Sequence, residues 1–263
     1  MAAAIDIAAY LKDHLKTRFM GRELKYLETT TSTQDVAREL AGQGAAEGTA
    51  VIAGEQQSGR GRMGRSWLSP VGGLATSIIL RPPLACAYLL PALSSVAVFR
   101  TLTNMGIQAG IKWPNDVLIA GKKVCGILIE NGLTEGELRY SIVGIGINVN
   151  FDTSSYPEIA DIATSLSVQL GHELSVAEVA RQLYTELEDI YSKIDDPDLI
   201  IGEWSRNLVT IGRRVTADFH GNSIDGRAEE VNRQGNLVVR LADGSVKEIV
   251  AGDVTIKNGN GGA

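Results

Sequence analysis

Histidine and cysteine are too sparse to organise this chain. The three histidines, His14, His172 and His220, are scattered, which leaves no histidine metal site. The two cysteines, Cys86 and Cys125, have neither C-x-x-C nor zinc spacing, and Met1–Asp6 lacks a basic and then apolar leader. Free thiols and no leader predict a reducing, cytoplasmic setting. No long apolar run survives inspection: the uncharged stretch Pro82–Phe99 is broken by Pro83, Pro91, Ser94 and Ser95. It reads as a loop and a buried helix, not a membrane span. Internal repeats are missing too. The most informative absence is of acid. The chain carries 31 Asp+Glu against 25 Lys+Arg, yet Gln56–Asn115 holds no carboxylate. An even spread would place roughly seven there. The same stretch contains Arg60, Arg62, Arg65, Arg81, Arg100 and Lys112. An acidic chain with one cationic zone argues against general nucleic-acid binding and for a small anionic ligand.

Within that zone the chain concentrates turn residues and cations in Gly54–Trp67, which holds four glycines and three arginines. Glycine lets backbone approach a ligand, and arginine offers a forked donor to carboxylate or phosphate. Two familiar motifs match the letters and fail on context. Gly59, Gly61 and Gly64 spell G-x-G-x-x-G, but the next acid after Glu55 is Asp116. The stretch after Trp67 holds Pro70, Gly72 and Gly73 and cannot open the helix that a dinucleotide site or a P-loop needs. The reading is an anion cradle of another kind.

The expected fold class is α+β: a mixed sheet with helices, spanning residues 1–207, then a small β-barrel over 208–257 and a disordered tail over 258–263. Helices are predicted for Ile5–Phe19, from Ser32 into Val36–Leu40, Leu89–Asn104, from Ser175 to Tyr191, and Leu199–Leu208. Ser32 with Asp35 resembles a capping box. Strands are predicted for Leu24–Glu28, Thr49–Ala53, Leu74–Leu80, Gly110–Ala120, Lys122–Glu130 and Leu138–Asn150. Asn115 and Asp116 beside Pro114 interrupt an apolar strand, either as a turn or as a bulge that aims polar groups into a pocket. Four short strands, Arg214–Phe219, Arg227–Val231, Leu237–Leu241 and Lys247–Val250, make the barrel.

Five blocks then carry a resemblance: Ser32-Thr33-Gln34, Gln56–Trp67, Lys112-Trp-Pro-Asn-Asp116, Gly121-Lys-Lys-Val-Cys-Gly126-Ile-Leu and Gly144-Ile-Gly-Ile-Asn148. Their joint order resembles the biotin protein ligases, strongly over Tyr26–Asn150, and the C-terminal barrel is similar to that family's SH3-like domain. The resemblance implies a ligase that activates biotin with ATP and Mg²⁺ as biotinyl-5'-AMP and transfers it to a lysine of a biotin carboxyl carrier protein. It implies biotin contacts from Ser32, Thr33, Gln34, Gln56, Arg60, Gly61, Arg62 and Lys123. Gln34 departs from the asparagine that many members carry. The ATP or adenylate end would fall to Arg62, Arg65, Trp67, Lys112, Asn115 and Asn148. Catalysis would fall to Lys123, Arg60, Arg62 and Asp116, with any metal near Asp116. The stretch before Ser32 is too short for the DNA-binding winged helix of repressor members, so the expectation is a ligase without it and without membrane or nucleic-acid partners; a homodimer is left open. Lipoate ligases and octanoyl transferases share the fold, and the arginine-rich loop favours biotin. Between Lys122 and Lys123 strand alternation does not choose, because both faces of Val124–Leu128 are apolar; the resemblance chooses Lys123.

Overall fold

The computed structural model describes residues 6–219, 222–250 and 252–257. The tail Asn258–Ala263, the start of the first predicted helix at Ile5, and His220 lie outside the described residues. In chain order the elements are α1 (Ile7–His14), β1 (Leu24–Thr30), α2 (Thr33–Gly42), β2 (Ala50–Gln56), β3 (Leu74–Leu80), α3 (Leu90–Asn104), β4 (Gly110–Lys112), β5 (Asp116–Ile119), β6 (Lys122–Thr134) and β7 (Glu137–Ile147). There follow α4 (Leu166–Leu170), α5 (Val176–Tyr191), α6 (Pro197–Arg206), β8 (Arg214–Phe219), β9 (Asn222–Val231), β10 (Leu237–Arg240), β11 (Val246–Ile249) and β12 (Asp253–Ile256).

One seven-stranded sheet runs β1-β2-β3-β7-β6-β5-β4, with β1 and β2 parallel and the remaining pairs antiparallel. A second, five-stranded antiparallel sheet runs β11-β10-β9-β8-β12. The mixed sheet, the helices and the barrel-like C-terminal sheet are the α+β architecture expected. Helices pack on both faces of the large sheet, on one of them over only part of its area, and strand alternation sorts the side chains between the faces. Val51, Ile79 and Ile142 point to α2 with Ala37 and Ala41. Ile52, Ile78 and Val143 point the other way, into the main core with α3 and α5. Helix α5 opens on a Ser175 cap of the Glu178 amide, 3.2 Å long, and buries Val179, Leu183, Leu187 and Tyr191. Leu84–Asn104 is apolar and long enough to cross a membrane by composition alone, but most of its apolar stretch is buried inside the protein. It is a core helix, as Leu90, Leu93, Val96 and Leu102 at 0% exposure require.

Three local expectations fail, each for a physical reason. Gly110–Ala120 is not one strand but the hairpin β4–β5, closed by a turn at Trp113–Asn115. The bulge lies further on, between Val117 and Leu118 on β5 and their β6 partners Cys125 and Lys123. Ser32 does occupy the N-cap of α2, but its side chain makes no capping bond. Asp35 turns instead to Arg38 and Arg60. Helix α4 and strand β12 are four or five residues long; neither is long enough to show a period.

Candidate active site

The face of the sheet that carries α2 is bare beyond that helix. Ala75, Ser77, Gly126, Leu128, Gly144 and Gly146 stand on it by alternation and register. A Cβ on Gly126 or Gly146 would run into the Trp67 indole, and one on Gly144 into the Gln34 amide. These glycines are needed for space, and they leave a floor made of backbone. Above it opens a cavity of about 830 Å³ including its mouth.

The cavity gathers residues distant in sequence. Ser32, Thr33, Gln34, Gln56, Arg60, Gly61, Arg62, Arg65, Trp67, Lys112, Asn115, Asp116 and Lys123 all line it. Asn148 does not: it is 3% exposed, and its amide donates to the Thr164 carbonyl at 3.0 Å. Its expected contact with a nucleotide therefore has no support in this geometry. Sequence reasoning missed Ser77, Trp113 and Asp253, which also line the cavity. Asp253 comes from β12 of the C-terminal sheet, and nothing near it in the sequence marks it.

One end of the cavity is polar and uncharged. Gln56 Oε1 accepts from the Thr33 amide at 2.8 Å, the Thr33 and Ser77 hydroxyls meet at 2.8 Å, and Ser77 donates to Gln34 Oε1 at 2.8 Å. Each of these groups is fixed by its neighbour, so the ensemble is preorganised. The other end is cationic. Arg62 donates to Asn115 Oδ1 at 2.9 Å, and the Asn115 amide is held by the Ile127 carbonyl. Burial pushes the Arg62 guanidinium below its ordinary pKa, with Asp116 opposing; the Lys112 ammonium moves the same way for the same first cause. Lys123 pairs with Asp116 at 2.7 Å and sits 5.4 Å from the centroid of the Trp67 ring, a cation–π geometry. The β5–β6 bulge puts Lys123 on the face of Gly126 and Asp116. Lys122, an exposed residue, reaches the Ala160 carbonyl at 3.1 Å instead.

Gly54–Trp67 covers this cavity as a strap. Gln56 faces Ser69 and Arg60 faces Ser66 across isolated bridges. The Trp67 amide donates to the Gly59 carbonyl at 2.8 Å, and the Gly61 amide to the Arg65 carbonyl at 2.7 Å. The tip turns on Met63 at φ 55° and Gly64 at φ 73°. Arg65 pairs with Asp253 and so ties the strap to the C-terminal sheet. Among the described residues no group of three His, Cys, Asp or Glu side chains gathers to hold a metal. The two carboxylates in the cavity, Asp116 and Asp253, are engaged by Lys123 and Arg65. These residues do not make a resident metal centre.

Residues 26–148 match the Biotin/lipoate A/B protein ligase family, and residues 210–257 match the Biotin protein ligase C terminal domain. The Bifunctional ligase/repressor BirA of Bacillus subtilis is 39% identical over 251 residues, which span 92% of this chain and 76% of that protein. The Biotin--[acetyl-CoA-carboxylase] ligase of Mycobacterium tuberculosis is 31% identical over 89% of this chain and 88% of its own. Among solved structures, the biotin protein ligase from Aquifex aeolicus in complex with biotin and ATP superposes with a TM-score of 0.77 at 31% identity, covering 90% of this chain and 99% of that one. The ligase from Leishmania major in complex with biotinyl-5-AMP gives 0.58 at 27% identity, covering 87% and 99%. Similarity across both sheets, with the glycine-arginine strap over a backbone floor, places the chain in a known group of enzymes: it belongs to the biotin protein ligase family.

Proposed function

We propose that this enzyme condenses biotin with ATP to biotinyl-5'-AMP and passes the biotinyl group to a lysine of a biotin carboxyl carrier protein. The observation that carries the reading is the division of one cavity into an uncharged polar end and a cationic end. A bicyclic urea with two N–H donors and one carbonyl suits Thr33, Gln34, Gln56 and Ser77. A carboxylate meeting a triphosphate suits Arg62, Arg65, Lys112 and Lys123.

A free carboxylate does not acylate an amine, because it would have to expel oxide. Attack of the biotin carboxylate oxygen on the α-phosphorus forms the acyl–phosphate bond and breaks the α–β bridge, releasing pyrophosphate. Lys123 and Arg62 stabilise the negative charge on the oxygens of the α-phosphate under attack, as fixed donors in a site poor in water do best. Asp116 orients Lys123 through their ion pair, and Trp67 offers a flat face to adenine. Mg²⁺ arrives with ATP as part of that substrate. In the second step the neutral carrier ε-amine attacks the acyl carbon, the bond to AMP breaks, AMP leaves with the electron pair, and the nitrogen gives up its proton to solvent. The strap shields the anhydride from water until then. With a net charge of −6, the reading extends to a ligase that does not grip DNA.

Exchange of labelled pyrophosphate into ATP, run with biotin, lipoate and octanoate, tests the assignment. Biotin-dependent exchange is the expected result. Exchange with lipoate and none with biotin would transfer the chain to the sister activity. Sequence-selective duplex binding would defeat the last extension.

A further inference from the structure

Four charged side chains outside the reacting centre close a ring at the rim of the cavity. Arg38 on α2 donates to Asp35 Oδ1 at 2.6 Å and to Glu130 Oε2 on β6 at 2.5 Å. Arg60, from the strap, donates to the same Asp35 oxygen at 2.8 Å and lies 3.5 Å from the same Glu130 oxygen. Each carboxylate oxygen is shared by both guanidinium groups. Three of the four members stand on regular elements, while the fourth belongs to a segment with glycines on either side of it, Gly59 and Gly61.

The asymmetry has an electrostatic consequence. Asp35, Arg38 and Glu130 alone carry one net negative charge at a fixed place. Arg38 also holds the two carboxylates together in the absence of the strap. When Arg60 arrives the ring becomes neutral. The partners keep 29–44% of their side-chain surface exposed, so the attraction is modest and sensitive to salt. Those are the properties of a catch that must release, not of a permanent tie. Arg60 also lines the cavity, so the ring acts on the segment that covers the polar end.

We propose that Asp35 and Glu130, braced by Arg38, are positioning residues that latch the strap shut through Arg60 and set how long the activated intermediate stays inside. The proposal rests on the adenylate reading above. It assigns neither carboxylate a contact with substrate.

The test is a single-turnover reaction without carrier protein, in which total biotinyl-adenylate and the fraction released to solution are measured separately. The variants are Asp35→Asn, Glu130→Gln, the pair together and Glu130→Asp, each checked by thermal melting. If wild type forms no adenylate, the proposed function fails and the latch is not at issue. If it does, the latch predicts that the double variant releases adenylate about three- to tenfold faster, the scale of losing two partly exposed charge pairs. Glu130→Asp should restore part of the retention. Raising the salt concentration should speed release from wild type and leave the double variant unchanged, a readout that a purely structural role would not move. Release equal to wild type with equal salt dependence would overturn the proposal. Slower release or tighter biotin binding would also overturn it, by showing that the carboxylates hold Arg60 away from the ligand. Should the double variant not fold, hydrogen exchange of Gly59–Arg65 in wild type at low and high salt decides: no salt effect on that segment would sink the latch.

Discussion

The floor of the cavity and the tip of the strap both depend on glycine, and for opposite reasons. On the floor, Gly126, Gly144 and Gly146 sit in extended, paired strands, where glycine supplies only the missing Cβ. In the strap, Gly64 sits at φ 73° with no atom within 4 Å of a Cβ position, and there glycine supplies the backbone angle. The floor is fixed by a hydrogen-bonded ladder on both sides. The strap is held by two isolated bridges, a few turn bonds and ion pairs at its two flanks. One wall of the site is rigid by construction of the sheet, and the other is tied at a few points. Rigid groups belong where charge develops, and movable ones where substrate enters.

The comparison is broken most severely at the cationic end of the floor. Lys123→Gln is expected to slow adenylate formation by about 10²–10³, the range for losing one preorganised donor. Lys122→Gln should change it by less than about threefold, as an exposed substitution does. Single-turnover kinetics on both settle the matter, and a larger defect for Lys122 would refute the assigned face. Next comes the backbone floor. Gly146→Val drives a side chain into the Trp67 indole, and a displacement near 1 Å there should lower the rate by about 10². Thermal melting separates that loss from misfolding. If Gly146→Val turns over normally, the floor is not rigid.

The strap should respond more mildly. Gly64→Ala imposes only a left-handed conformation, worth roughly 1 kcal/mol, so biotin affinity by calorimetry should weaken about fivefold with the melting temperature unchanged. A loss as large as that of Gly146→Val would erase the distinction between the two walls. The smallest effect belongs to neither. Glu178 on α5 receives Arg181 at 2.7 and 2.6 Å, Gln182 at 2.8 Å and the Tyr10 hydroxyl at 2.7 Å. The Arg181 hydrogen bonds chiefly hold its carboxyl down at about 2. A depressed folded pKa contributes stability above the unfolded value of about 4.3, and that stability is lost as pH falls towards 2. Glu178→Gln should therefore melt below wild type at neutral pH and converge with it near pH 2. A constant gap across that window would assign the loss to packing.

Most of the large elements were legible because each has a period or a boundary residue. Helix α5 shows its buried stripe and its Ser175 cap; β3 is buried along its whole length and rich in apolar residues, from Leu74 to Leu80. The turn at Trp113–Asn115 was legible only as one of two readings, turn or bulge, because nothing local chooses between them. What fixes that turn lies far away: the Trp113 amide donates to the Thr210 hydroxyl at 2.9 Å and its indole to the Gly235 carbonyl at 3.0 Å. The choice between Lys122 and Lys123 was likewise hidden, because a bulge resets the alternation that a sequence pattern assumes. The strap was plain in the sequence as a cationic, glycine-rich segment. Its partners Asp35, Glu130 and Asp253 were not, because half-buried carboxylates far apart in the sequence carry no pattern.

The backbone floor also bears on the entropy of binding. The Trp67 indole packs directly on Gly126 and Gly146, and a ligand beside it finds no rotamers to freeze at those positions, for they have none. Ordering on association is confined to the strap, whose arginines have many rotamers to lose. Warming the enzyme should therefore erode its grip on substrate through the strap, while the shape of the slot below stays the same.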